Sequence, residues 1–179
     1  MKSRMKRIGY FLLSAGTVLF LYISLHELGH MIVMLSAGAT VTSFGILTAH
    51  VSAEGGNYSP LSALWIHANG AFLPMAASFV YMLLYRKNCQ KSFYRIFSFF
   101  LALIPTASML AWIILPFLFL LGKAPANDDA TKFLYVFSQE FHPLIVSAVS
   151  MAIIAISVIL ICKKRIMHNY LEEVRQLKQ

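Results

Sequence analysis

Residues 26–30 read HELGH, a form of the His-Glu-x-x-His pattern, inside an otherwise apolar stretch. On a helix, residues four positions apart share one face, so the imidazoles of His26 and His30 can bind the same metal ion. Ligands of this type at this spacing favour zinc. Glu27 is adjacent to the first ligand, where a general base can take a proton from a water molecule polarised by the metal. Ionisable side chains in an apolar segment are costly and usually functional, so the motif predicts a metal site.

The composition indicates what kind of protein carries this motif. The chain of 179 residues is 59% hydrophobic and 12% charged, with a mean hydropathy of +0.70. A soluble domain of this size would carry about twice that fraction of charge. Several apolar runs exceed the roughly 18 residues that cross a bilayer as a helix. We therefore predict an all-α polytopic membrane protein that forms a single membrane-embedded domain over residues 1–179, because the segments between the spans are too short for an independent core.

Four apolar segments are predicted to be transmembrane helices. They cover about 8–35, 61–85, 93–121 and 141–162. The third segment is longer than one crossing requires and contains Pro105 and Pro116, which allow a kink or a division; we count it as one span. The HELGH motif lies towards the C-terminal end of the first span.

Two segments outside the spans also carry recognisable patterns. Residues 40–47 are rich in β-formers and residues 48–52 can pair back on them, which predicts a small hairpin after the first span, followed by a loop over 54–60. After the last span, apolar residues recur at helical spacing, which predicts a short amphipathic helix on the membrane surface. Those residues are Ile166, Tyr170, Val174 and Leu177.

The basic residues are distributed unevenly along the chain, which has a formal net charge of +8. Of the 15 Lys and Arg residues, 13 lie before the first span, after the fourth, or in the basic loop between the second and third, where Arg95 at the start of the third span is counted with Arg86, Lys87 and Lys91. The positive-inside rule then predicts an integral protein of the cell membrane with both termini cytoplasmic, and the motif towards the outer surface. This distribution accounts for the positive charge without a nucleic-acid partner. Cys89 and Cys162 both fall at predicted cytoplasmic ends, so we predict no disulfide.

A hydrolytic zinc site needs three protein ligands and one open position, and the motif supplies two of them. The third must come from another part of the chain. Six side chains lie at a suitable depth, namely Asp128, Asp129, His67, Glu54, His50 and His142. Asp128, like Asn127, could also cap a short helix that begins there.

Taken together, HELGH on the first span, a Gly-containing polar patch on the second, and an aspartate at the head of a later span resemble the site-2 protease family of intramembrane zinc metallopeptidases. The resemblance covers most of the chain, but it is specific only at HELGH. In that family the third ligand is an aspartate in an Asp-Gly motif that opens a transmembrane helix, commonly followed by a small, a basic and an apolar residue. The run Asp-Ala-Thr-Lys-Phe at 129–133 fits this pattern. The resemblance therefore implies Asp129 as the third ligand, with Asp128 as the alternative.

The second span and the hairpin extend the resemblance. Asn69 and Gly70 match the family's second-span patch loosely, since the family usually has Gly-Pro with an Asn one turn later. The resemblance implies that Asn69 donates a hydrogen bond to the substrate carbonyl or to the oxyanion; a hydrogen bond between helices is the alternative. A β-element after the first catalytic helix is also common in the family, and its edge can hold a substrate extended. Well-known members place zinc nearer the cytoplasmic face, opposite to the prediction from charge.

The sequence as a whole predicts a zinc metalloendopeptidase with four spans. His26, His30 and Asp129 bind Zn²⁺, Glu27 is the general base, and the substrate is a membrane-embedded or membrane-adjacent polypeptide in the lipid bilayer. Two other classes stay open. One is a membrane zinc hydrolase of a non-peptide substrate such as a lipid, and the other is a non-catalytic binding, immunity or transport protein. The intact Glu27 favours catalysis, because a binding protein does not need a base.

Overall fold

The computed structural model describes residues 2–177, and these residues form six helices and one two-stranded antiparallel sheet. The strands are β1 (Ala39–Gly45) and β2 (His50–Gly55), and they follow the first helix directly. This confirms the predicted architecture, a helical protein with a small hairpin after its first span. The helices are α1 (Lys2–Ser36), α2 (Pro60–Leu84), α3 (Ser92–Leu120), α4 (Asp129–Phe137), α5 (Leu144–Lys163) and α6 (Ile166–Arg175).

Within residues 2–177, four helices are long and apolar enough to cross a membrane, namely α1, α2, α3 and α5. This finding supports the predicted membrane protein. The segment that could have been divided is one continuous helix, α3, with Pro105 and Pro116 buried inside it. The last span begins at Leu144, three residues later than predicted. Its start is delayed because Pro143 disfavours helical backbone at the residue before it and forms the N-cap instead.

The hairpin joins α1 to α2. Ala39 pairs with Gly55 and Gly45 pairs with His50, with a bulge between Val41 and Ser43. The expectation that the loop begins at residue 54 was wrong, since β2 continues to Gly55. A hydrogen bond of 2.8 Å from the Asn57 amide to the Ala37 carbonyl then fastens the far end of the hairpin to the end of α1.

Helices α1 and α2 approach each other unusually closely at Gly29. A Cβ atom added to Gly29 would lie 2.2 Å from the carbonyl oxygen of Asn69, closer than any side chain tolerates. Glycine is therefore required at this position for the backbones to come so near. The close approach brings the HELGH face of α1 directly against one turn of α2.

The final helix differs from its prediction. Ile166 is fully buried, and the ring of Tyr170 stacks on Phe99 of α3 with 3.7 Å between ring centroids. The face of α6 that we predicted to lie on the membrane surface therefore packs against the end of the bundle. This face of α6 packs on an apolar cluster formed by the ends of α2, α3 and α5, which includes Met82 and Ile161.

Candidate metal centre

Three side chains from two distant parts of the chain meet at one point inside the bundle. His26 Nε2 and His30 Nε2 each lie 3.1 Å from Asp129 Oδ2. The two imidazole nitrogens are also 3.1 Å apart. One ligand atom from each residue lies within 4.8 Å of the others, so the three residues form a group that could hold a metal ion.

The start of α4 determines which aspartate reaches this group. The Asp128 side chain accepts a hydrogen bond of 2.8 Å from the Ala130 amide and caps the helix. Asp129 is then the first residue of α4, and its carboxylate faces the two histidines. The structure thus places Asp129 with His26 and His30, and it places Asp128 in the capping role considered as its alternative.

One turn of α2 also contacts the group. The Nδ1 of His30 hydrogen-bonds to the backbone carbonyl of Ile66. Because a carbonyl only accepts, Nδ1 is the protonated nitrogen, and in the neutral ring the lone pair of Nε2 points towards Asp129. The next residue, His67, places its Nδ1 3.6 Å from Asp129 Oδ1. Sequence reasoning weighed His67 as a ligand but missed this contact, since nothing local signals it.

Gly70 makes room for both imidazoles. A Cβ atom at Gly70 would lie 2.5 Å from His30 Nε2 and 2.8 Å from His26 Cε1. The neighbouring Asn69 donates a hydrogen bond of 2.7 Å from Nδ2 to the Gly29 carbonyl, which joins α2 to α1. The interhelical hydrogen bond considered for Asn69 is therefore present, and the role of Asn69 towards a substrate stays a prediction.

The imidazoles around Asp129 keep its carboxyl group ionised. Burial alone would raise the pKa of Asp129, but the interactions with His26, His30 and His67 outweigh it and hold that pKa well below its usual range. Asp129 is therefore a carboxylate, and when the His30 ring is neutral its Oδ2 faces the lone pair of His30 Nε2 at 3.1 Å. Two acceptors at this distance require a proton or a cation between them. Two imidazole nitrogens and one carboxylate oxygen form a donor set that fits a divalent transition-metal ion.

Glu27 lies beside this group in the same buried environment. Its side chain is 4% exposed. In the described part of the chain, no Lys, Arg or His comes within ion-pair distance of its carboxyl group. A buried carboxyl group without a cationic partner is costly, so its presence next to the candidate ligands points to a chemical role.

The remaining candidates for the third ligand lie elsewhere. His50 Nδ1 hydrogen-bonds with Thr48 Oγ1 at the turn of the hairpin. His142 accepts a hydrogen bond from the Leu144 amide just before α5, and Glu54 is exposed on β2. None of these three belongs to the group that could hold a metal.

An apolar cavity of about 420 Å³ adjoins the helices that carry the site. On α2 its wall includes Ala68 and Ala71, which flank Asn69 and Gly70. On α4 its wall includes Phe133 and Phe137, one and two turns after Asp129. The cavity therefore lies between helices that carry the site, although its lining does not include His26, Glu27, His30 or Asp129.

No protein-family model matches the chain, and neither a curated protein nor a solved structure matches it.

Proposed function

We propose that the chain is an intramembrane zinc metallopeptidase similar to the site-2 proteases. The observation that carries this proposal is the convergence of His26, His30 and Asp129 beside the buried, unpaired Glu27. The motif supplies the ligand spacing and the base together, and the packing of α4 supplies a third ligand of the right type. Three protein ligands leave a coordination position open for chemistry, as a catalytic site requires.

Metal binding and proton transfer are assigned to different residues of the site. His26, His30 and Asp129 hold the ion, and the Ile66 carbonyl keeps the His30 ring in the orientation that presents Nε2. Bound zinc would supply the Lewis acidity that polarises a peptide carbonyl and activates water for attack. Glu27 takes a proton from the attacking water and delivers it to the leaving amine nitrogen. Its buried position keeps that proton away from bulk solvent.

The surroundings of the site support a membrane-embedded or membrane-adjacent polypeptide as substrate. The two histidines lie on a helix long and apolar enough to span a membrane. The apolar cavity beside α2 and α4 suits hydrophobic side chains. A helical substrate must be held extended before its carbonyl can be attacked, and the edges of the β1–β2 hairpin offer unpaired backbone groups for that purpose.

We also propose that both termini lie on the cytoplasmic side. The ion pair between Arg7 and Glu173 puts the start of α1 and the end of α6 at the same end of the bundle. The basic residues that flank the spans assign that end to the cytoplasm. A cysteine introduced at position 56, after removal of Cys89 and Cys162, should then react with a membrane-impermeant reagent in intact cells. Labelling only after lysis would reverse the orientation.

The experiment for the enzymatic proposal combines metal analysis with one substitution. Purified wild-type protein should contain about one zinc ion per chain. Glu27→Gln should keep the zinc but release no products from a library of transmembrane peptides analysed by mass spectrometry. The control is Glu140→Gln, which changes an exposed carboxyl group after α4 and should cleave like the wild type.

Three results would contradict the proposal. Absence of zinc from the purified wild-type protein would contradict the proposed zinc site. Undiminished cleavage by Glu27→Gln would show that Glu27 is not the general base. Zinc-dependent hydrolysis of lipids in the absence of peptide cleavage would keep the site and change the substrate class.

A further inference from the structure

The imidazole of His67 belongs to the polar cluster but not to its ligand group. Its Nδ1 faces Asp129 Oδ1 at 3.6 Å, whereas His26 and His30 face the other carboxylate oxygen, Oδ2, at 3.1 Å. Among the described residues, the group whose ligand atoms all lie within 4.8 Å of one another contains His26, His30 and Asp129 and does not contain His67. The two oxygens of Asp129 are thus approached by different partners.

The fold fixes the position of His67 relative to the candidate ligands. His67 follows Ile66, whose carbonyl receives the hydrogen bond from His30. Consecutive residues of α2 therefore contact two of the three candidate ligands. The same turn is fastened to α1 by the hydrogen bond from Asn69 to Gly29, so its side chains have little freedom to move relative to the motif.

We propose that His67 is a positioning residue for the metal centre, which holds Asp129 through Oδ1 so that Oδ2 alone faces the ion. A carboxylate that is free to turn can bind a metal through both oxygens and occupy the open coordination position. Holding one oxygen keeps the ligand monodentate and preserves that position. The present separation of 3.6 Å is longer than a hydrogen bond, and a small rotation of either side chain closes it.

This inference rests on the proposed metal site, and its test measures metal binding rather than activity. The full-length protein in detergent is titrated with Co²⁺ and Zn²⁺, and the visible spectrum of the Co²⁺ form reports the coordination number. The variants are His67→Ala, which removes the contact, and His67→Asn, whose amide nitrogen can replace Nδ1 as the donor. The matched control is His142→Ala, a histidine outside the cluster.

His67→Ala should bind both metals about 10- to 100-fold more weakly, the usual cost of losing a group that supports a ligand. Its Co²⁺ bands should lose intensity as the second carboxylate oxygen enters the coordination sphere. His67→Asn should recover most of the affinity and the wild-type spectrum, and His142→Ala should match the wild type. This rescue separates positioning from a merely structural role, because alanine and asparagine both remove the ring.

Two results would overturn the positioning role of His67 and leave the proposed metal site intact. The first is wild-type affinity and spectrum in His67→Ala. The second is the loss of one nitrogen ligand from the Co²⁺ sphere in both variants, measured by X-ray absorption, which would make His67 a ligand. A wild-type protein that binds neither metal would overturn the proposed function itself, before any variant is compared.

Discussion

The bundle contains two buried polar clusters, one near each end of α1, and they are built in opposite ways. At 1.5 Å per residue, the run from Arg7 to His26 spans roughly 28 Å. The cluster near the start of α1, here called the Arg95 cluster, is neutralised by its own residues. The candidate metal centre near the other end is not.

The Arg95 cluster joins α3 to α6 and α1. The Arg95 guanidinium lies 2.8 Å from Glu172 Oε2 and 3.3 Å from Glu173 Oε1, and its Nε donates to the Cys89 carbonyl. Arg7 lies 3.6 Å from the other oxygen of Glu173. Two arginines therefore face two glutamates, and no outside charge is required.

The candidate metal centre has the opposite composition. It contains the carboxyl groups of Asp129 and Glu27 with two or three imidazoles, and among the described residues no Lys or Arg pairs with either acid. With neutral imidazoles its two carboxylates match the charge of one divalent cation. The comparison shows how a polar cluster that stabilises a fold can differ from one that is arranged for a ligand. The first pairs its charges with one another, whereas the second brings carboxyl groups and imidazoles together without Lys or Arg.

The largest effect that would test this contrast is expected at Arg95. Arg95→Ala leaves the buried Glu173 short of a partner, and removing one member of a buried ion pair typically costs about 3–5 kcal/mol. The free energy of unfolding in detergent should fall by that amount, while Zn²⁺ affinity is unchanged because the metal centre lies at the other end of α1. The control is Arg86→Ala, an exposed arginine of the same basic loop, which should stay within about 0.5 kcal/mol of the wild type. If Arg95→Ala lost as much Zn²⁺ binding free energy as free energy of unfolding, the polar clusters near the two ends of α1 would be coupled.

The sequence allowed much of the fold to be predicted, because membrane spans can be recognised from the length and hydropathy of apolar segments. The hairpin and the Asp128 cap were also accessible, since both depend on residues close in the chain. The HELGH spacing fixes two candidate ligands on one helix face in the same local way. The third came from a family resemblance, and the structure places Asp129 beside the histidines.

The contacts that sequence reasoning missed all depend on distances between helices. Arg95 was counted with a basic loop, yet it is buried against α6. Tyr170 was assigned to a membrane-facing stripe, and it stacks on Phe99 instead. The approach of His67 to Asp129 likewise follows from the packing of α2 against α4, which no local pattern encodes.

An intermediate effect is expected where the two neighbouring aspartates are compared. Asp129→Ala should lower Zn²⁺ affinity more than about 100-fold, beyond the loss typical of supporting residues, because it removes a ligand. Asp128→Ala should keep most of the Zn²⁺ affinity and lose about 0.5–2 kcal/mol of stability, the usual cost of a helix cap. Isothermal titration and unfolding in detergent measure the two quantities separately. The reverse pattern would show that the ligand is Asp128, and unchanged affinity in both variants would place the third ligand elsewhere.

The smallest effect is expected at Asn69, which either only joins α2 to α1 or also donates a hydrogen bond to the oxyanion. Its amide already donates to the Gly29 carbonyl at 2.7 Å, so Asn69→Ala should cost about 0.5–1.5 kcal/mol of stability for one hydrogen bond. If that bond is its whole role, cleavage per bound zinc should fall only a few-fold. Loss of an oxyanion donor would instead lower kcat by about 10²- to 10³-fold with Zn²⁺ affinity unchanged. Asn127→Ala, an exposed asparagine just before the α4 cap, is the control for both measurements. Stability and kcat measured on the same preparations therefore decide whether this turn of α2 only supports the centre or also takes part in its chemistry.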